Sequence, residues 1–281
     1  MKKQRLLFTA LAAVVLGASA CNNQPAKTGE DTTATTAPVE VKLKEETVTY
    51  KDDTTTLVGY VVYNENVTTP RPAVLVVPEW WGLNEYPKTR ARQLAELGYI
   101  AIAVDMYGNG LIAPTPKEAG AEAGKFYTNP ALMKSRIEAA LTVIKSFKQT
   151  DTSRIAAIGY CFGGAVVLNV AKLGAPLKGV VSFHGNLAGA PANKDLLKAK
   201  ILVCHGADDK FVSPEEIAAF RKGLDSIGAD YQFIAYPGAV HAFTNPGSTE
   251  KGQQFNIPIA YNAAADTASW KDMKTFFGRI F

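Results

Sequence analysis

Short continuous apolar runs alternate along this chain with longer stretches whose apolar residues recur at helical spacing. The runs are Ala73–Val77, Tyr99–Val104, Ile155–Ile158, Lys178–Phe183, Lys200–Cys204 and Tyr231–Tyr236. A run with few polar breaks marks a strand buried on both faces. Between the runs, Lys88–Leu97 reads as a helix stopped by Gly98, and Pro130–Phe147 as an amphipathic helix. Leu132, Ile137, Ala140, Leu141 and Ile144 would make the core contacts of the second. Ala165–Ala171 continues a helix after a glycine-rich turn. Ser213 caps another, which carries Pro214, Glu215 and Glu216 in its first turn and runs to Ser226. Tyr261–Phe277 makes a terminal helix. Earlier, Glu46–Tyr50 and Thr56–Tyr63 are β-branched and aromatic with partial alternation. Asp52-Asp53 lies between them, which predicts an antiparallel pair. The stretch from Gly110 to Phe126 shows only a weak pattern, and no internal repeat is visible. Strands alternating with helices predict an α/β fold: a single domain with a mostly parallel sheet and helices on both faces. Its site should lie at the C-terminal ends of the strands.

The first residues follow a different pattern. Lys2, Lys3 and Arg5 precede an apolar stretch, Leu6–Leu16, then the small residues Gly17-Ala18-Ser19-Ala20 and Cys21. This resembles a bacterial lipoprotein signal peptide, residues 1–20, cleaved before a cysteine that carries lipid. Ala18 stands where such signals usually carry Leu, so ordinary cleavage near Ala20, giving a soluble periplasmic or secreted protein, is the alternative. Residues 21–44, rich in Thr, Ala, Asn and Pro, read as a flexible tether. The expectation is an exported lipoprotein of the bacterial cell envelope, membrane-anchored through Cys21, with a folded body at 45–281.

Composition narrows the class. Of 281 residues, 47% are hydrophobic and 20% charged, as in a soluble globular protein rather than a membrane bundle. The net charge of +4 comes from scattered basic residues interleaved with acids, so nothing argues for nucleic acid. The three cysteines and three histidines lack metal-ligand spacing, and neither a metal nor a cofactor is expected. Cys204, inside an apolar run, reads as an inert core residue. A Cys161–Cys204 disulfide is conceivable in an oxidising compartment but is not expected.

The chemistry centres on Ile155–Gly164. An apolar run enters Gly159-Tyr160-Cys161-Phe162-Gly163, and a helix follows. This is G-x-C-x-G, a thiol version of the nucleophile elbow. Side chains two positions either side of the nucleophile would collide in so sharp a turn, and Gly159 and Gly163 remove them. The following helix would aim N–H groups at the sulfur and favour thiolate. A glycine-rich turn of a nucleotide-binding fold with a buried cysteine is the plain alternative. Glu79, Cys161, Asp209 and His241 each fall just after an expected strand end, which favours the catalytic reading. Cys161 would attack, His241 would act as base and then acid, and Asp209 would orient the imidazole. Asp208 competes with Asp209, since spacing does not separate them. His205 reads as a structural strand-end residue. His184 either lines the pocket or is hydrogen-bonded in a structural role. Backbone N–H groups of Phe162 and Trp80 would form the oxyanion hole.

Four segments, Pro78-Glu79-Trp80-Trp81-Gly82-Leu83-Asn84, Gly159-Tyr160-Cys161-Phe162-Gly163-Gly164, Gly206-Ala207-Asp208-Asp209-Lys210-Phe211-Val212 and Val240-His241-Ala242-Phe243, together resemble the dienelactone hydrolase family over roughly Glu46 to Phe281. The resemblance implies an α/β-hydrolase fold and a Cys-His-Asp triad that cleaves lactones or esters of small molecules without a metal, through an acyl-enzyme. It also implies that Glu79 contacts the resting cysteine and is displaced by substrate. A carboxylate beside a thiol disfavours the thiolate, so its departure would activate the sulfur. Family members that cleave dienelactone hold its carboxylate with arginines. Here Asn245 occupies the position four residues after His241, and no arginine lies between Asp105 and Lys134. A neutral or differently shaped ester or lactone is therefore expected, in a partly aromatic pocket involving Trp81, His184 and Asn245. The rival readings are an acyl transferase or peptidase on the same scaffold, and a binding module without turnover.

Overall fold

The computed structural model describes residues 40–281. The expected leader, Cys21 and the tether up to residue 39 lie outside the described residues. Every apolar run becomes a strand: β3 (Arg71–Val77), β4 (Ile100–Ala103), β5 (Thr150–Tyr160), β6 (Gly179–Phe183), β7 (Lys200–Gly206) and β8 (Tyr231–Tyr236). With β1 (Leu43–Asp52) and β2 (Thr55–Asn64) they form one eight-stranded sheet in the order β1-β2-β4-β3-β5-β6-β7-β8. β1 and β2 are antiparallel to each other, and β2 is antiparallel to β4; every other neighbouring pair is parallel. β1 starts at Leu43, so the folded body begins inside the segment expected to be tether. The strand hid there because it lies at the sheet edge and most of its side chains stay partly or fully exposed, so it lacks an apolar signature.

Helices cover both faces. On one lie α2 (Pro116–Tyr127), α3 (Pro130–Ser146), α4 (Phe162–Lys172) and α5 (Pro214–Asp225), around a core that includes Leu75, Ile102, Phe126, Ile137, Val166 and Leu224. On the other lie α1 (Glu85–Glu96) and α7 (Ala263–Ile280), packed with Val74, Val76, Leu94, Ile158, Leu202 and Phe276. α6 (Ser248–Phe255) sits in the connection from β8 to α7. All eleven residues of α4 are buried, as expected for the helix behind an elbow.

Two helices, α2 and α6, occupy stretches where no helix was expected. α2 is poor in large apolar residues and buries only Ala119, Ala123 and Phe126, which mutes its periodicity. Its start was nonetheless written in Thr115-Pro116-Lys117-Glu118. The Thr115 hydroxyl accepts the Glu118 N–H at 3.4 Å and donates to the Glu118 carboxylate at 2.7 Å, a side-chain N-cap with Pro at the first position. α6 has Gly247 at its N-cap with no side-chain cap, so no such signal marks it.

Candidate active site

The elbow takes the shape its glycines allow. Cys161 has φ 53° and ψ −114°, between the end of β5 and the start of α4. A Cβ at Gly159 would collide with the Gly163 carbonyl, and one at Gly163 with the Val77 carbonyl. The loops after β5, β6 and β8 each place a non-glycine residue in the left-handed region: Cys161, His184 at φ 42° and Ala242 at φ 59°.

Three side chains meet in a line. His241 Nε2 lies 3.1 Å from Cys161 Sγ, and His241 Nδ1 lies 2.8 Å from Asp209 Oδ2. Asp209 is buried, and its other oxygen accepts the Phe211 N–H at 2.9 Å; Asp208, its competitor, is exposed. Burial opposes charge on the imidazole, but the adjacent Cys161 and the Asp209 carboxylate outweigh it and push His241 up to about 10. That arrangement favours a protonated imidazole beside the sulfur.

Glu79 is buried at 3% exposure, and burial pushes its carboxyl up to about 7. Its Oε2 accepts from Asn245 Nδ2 at 2.6 Å. The resting contact of Glu79 is therefore with Asn245, while the sulfur faces His241, unlike the Glu79–cysteine contact that the sequence resemblance implied. Among the described residues, the N–H groups of Trp80 and Phe162 find no backbone or side-chain acceptor. The Trp80 carbonyl accepts from Tyr107 Oη at 2.8 Å, which anchors this loop.

A cavity of about 230 Å³ opens over Cys161 and His241. Glu79, Trp80, Trp81 and Asn245 line it, as does Phe211, whose ring lies 4.9 Å from that of His241. His184 does not. It is fully buried, its Nδ1 accepts the Cys161 N–H at 3.0 Å and its Nε2 lies 2.7 Å from Thr244 Oγ1. The pocket role for His184 is thus corrected to the structural one, because its ring is hydrogen-bonded to the Cys161 peptide and to Thr244 rather than turned into the cavity. Cys204 is buried and unbridged; burial pushes its thiol up to about 12. Among the described residues, no group of three or more His, Cys, Asp or Glu side chains is clustered to hold a metal ion.

The far wall comes from α2 and α6. Gly120, Ala123 and Tyr127 contribute from α2, and Ser248 and Lys251 from α6, with Ile257 and Ile259 just after it. Lys251 Nζ lies 4.2 Å from the Trp81 ring centroid. The Ser248 hydroxyl is buried without a hydrogen-bond partner. Sequence reasoning missed these residues, and only the Thr115-Pro116 helix start could have drawn attention to α2.

Known proteins agree with this frame. The model of the dienelactone hydrolase family matches residues 57–281. A putative carboxymethylenebutenolidase of Methylorubrum extorquens is 30% identical over 220 residues, covering 74% of this chain and 72% of that protein. The crystal structure of a dienelactone hydrolase-like promiscuous phosphotriesterase from metagenomic libraries superposes with a TM-score of 0.80 at 36% identity, covering 85% of this chain and 99% of the other. A putative dienelactone hydrolase from Klebsiella pneumoniae shares the fold, with a TM-score of 0.72 at 22% identity. With an α/β-hydrolase sheet, an elbow after β5 and a family match from β2 to the C-terminus, the chain belongs to the dienelactone hydrolase family.

Proposed function

We propose that this hydrolase cleaves carboxylic esters or lactones of small molecules through Cys161, His241 and Asp209. The observation that carries the reading is the hydrogen-bonded line from Asp209 through His241 to a sulfur that opens into a cavity. The Cys161 thiolate attacks the carbonyl carbon, and a C–S bond forms as the carbonyl π electrons move to oxygen. The unpaired N–H groups of Trp80 and Phe162 hold that oxyanion. Collapse breaks the bond to the leaving oxygen, which takes the His241 proton. Neutral His241 then deprotonates a water, which attacks the thioester and releases the acid and the thiolate. Asp209 keeps the imidazole in the tautomer that faces sulfur and stabilises its cation.

Trp80, Trp81, Ile257 and Ile259 favour an apolar or aromatic substrate body, and Ser248 and Lys251 offer donors to a polar group at its far end. We further propose that the body is exported on a lipid anchor at Cys21, on the strength of the basic, apolar and small-residue order before that cysteine. The mass of the mature N-terminus tests this, and an unmodified Cys21 would refute it.

The test of the hydrolase reading is turnover of short p-nitrophenyl esters and simple lactones by the full chain, beside Cys161→Ala and His241→Ala. Activity in the wild type that vanishes in both variants is expected. A folded wild type that turns over none of them overturns the reading. A phosphotriester arm belongs in the same assay, because the metagenomic relative is a dienelactone hydrolase-like promiscuous phosphotriesterase and is 36% identical.

A further inference from the structure

The strain at Cys161 is held by a neighbour that the hydrolytic steps do not use. A side-chain-bearing residue keeps φ 53° only where its surroundings fix it. The Cys161 N–H is shared between two acceptors, Phe183 O at 3.0 Å and His184 Nδ1 at 3.0 Å. A neutral imidazole that accepts at Nδ1 carries its proton on Nε2, so His184 donates to Thr244 Oγ1 at 2.7 Å. Thr244 Oγ1 lies 2.6 Å from Tyr86 Oη. Arg90 closes the network: its guanidinium donates to the Thr244 carbonyl at 2.7 Å and pairs with Asp266 of α7 at 2.5 Å. Thr244 lies three residues after His241 and directly before Asn245, the partner of Glu79. One buried imidazole thus joins the peptide of the thiol to the loop of the base. Burial, together with the nearby His241 and Arg90, holds His184 well below the ordinary histidine range, which keeps its Nδ1 an acceptor.

We propose that His184 is a positioning residue that clamps the Cys161 peptide in its left-handed turn and ties it to the His241 loop, keeping Sγ and Nε2 within bonding reach. For its kinetic readout the inference rests on the hydrolase reading; its geometry does not.

The experiment uses the full chain with three substitutions, His184→Asn, His184→Leu and Thr244→Val. Asparagine places an acceptor where Nδ1 stood and tolerates the positive φ, leucine removes both links, and valine cuts only the tie to the loop. Each protein is measured for thermal midpoint, kcat and KM on a p-nitrophenyl ester, and the rate at which iodoacetamide alkylates Cys161, read by peptide mass spectrometry. His184→Leu should lose about 10- to 100-fold in kcat with KM little changed, since small misplacements at the reacting atoms cost this much. Its alkylation should slow in parallel. Thr244→Val should show a smaller loss of the same kind, and His184→Asn, which keeps the peptide acceptor but does not reach Thr244, should fall about as far as Thr244→Val and well short of His184→Leu.

A folded leucine or valine variant with wild-type kcat and alkylation overturns the proposal. So does an asparagine variant as impaired as leucine, or a loss confined to KM. If leucine prevents folding, the asparagine and valine variants decide. If the wild type hydrolyses no ester, the hydrolase reading fails alone, and the alkylation rates still decide the positioning role.

Discussion

The two sides of the cavity are made in different ways. The reacting side is assembled from strand ends and tight turns, where Gly159, Cys161, Gly163, Asp209 and His241 are each held by sheet register or by a named hydrogen bond. The facing wall comes from two short helices, α2 and α6, one rich in small residues and the other uncapped. On the proposed reading, chemistry is therefore pinned to the rigid sheet and selectivity falls to peripheral segments.

The sharpest way to break that contrast is to remove the chemistry and leave the frame. Cys161→Ala and His241→Ala should each lower kcat by at least about 10³-fold, with thermal midpoints close to wild type. Activity that survives either change would move the reaction elsewhere. Next comes the frame itself. Gly163→Ala forces a Cβ into the Val77 carbonyl, with no flexible side chain to give way. It should destabilise the protein by more than about 3 kcal/mol in denaturant titration. An alanine tolerated there would mean that the elbow is looser than described.

Glu79 lies between the two sides, and its effect should be intermediate. Its folded-state carboxyl is raised by burial to about 7, so the folded protein holds that proton more tightly than the unfolded chain does. Stability from this group is therefore full below the ordinary carboxylate pKa and falls as pH rises towards 7. Glu79→Gln should match wild type at pH 4 and exceed it by on the order of 2 kcal/mol at pH 8. A difference that does not change with pH would refute the buried carboxyl. The smallest effects belong to the far wall. Ser248→Ala and Lys251→Met should change KM by about 2- to 10-fold with kcat little altered, as uniform-binding contacts do. A large fall in kcat would erase the division between the two sides.

The same contrast explains what the sequence disclosed. The buried strands were legible because an unbroken apolar run has few other uses, and the elbow because two glycines around a cysteine answer one steric demand. Asp209 and His241 stood out by their places at strand ends, though only the hydrogen bond from His241 to Asp209, with the burial of Asp209 and exposure of Asp208, separated the two acids. β1 was only partly legible because an edge strand with one partner shows water most of its side chains. α2 and α6 escaped because their few buried residues are mostly small. His184 was ambiguous for another reason: a histidine at a strand end reads alike whether it faces a cavity or the peptide above it. Only the hydrogen bonds its ring makes, to the Cys161 N–H and to Thr244, decide.

The left-handed residues Cys161, His184 and Ala242 sit on the hydrogen-bonded, largely buried side of the cavity. Segments with few buried contacts open first on warming, so the α2 and α6 wall should loosen before the strand-end turns and well before the strands separate. Such a protein should lose its hold on substrate some degrees below the temperature at which its circular dichroism collapses. On cooling, that early loss should reverse, whereas damage beyond the sheet transition need not. Working range would then be set by two small helices rather than by the strained turns they face.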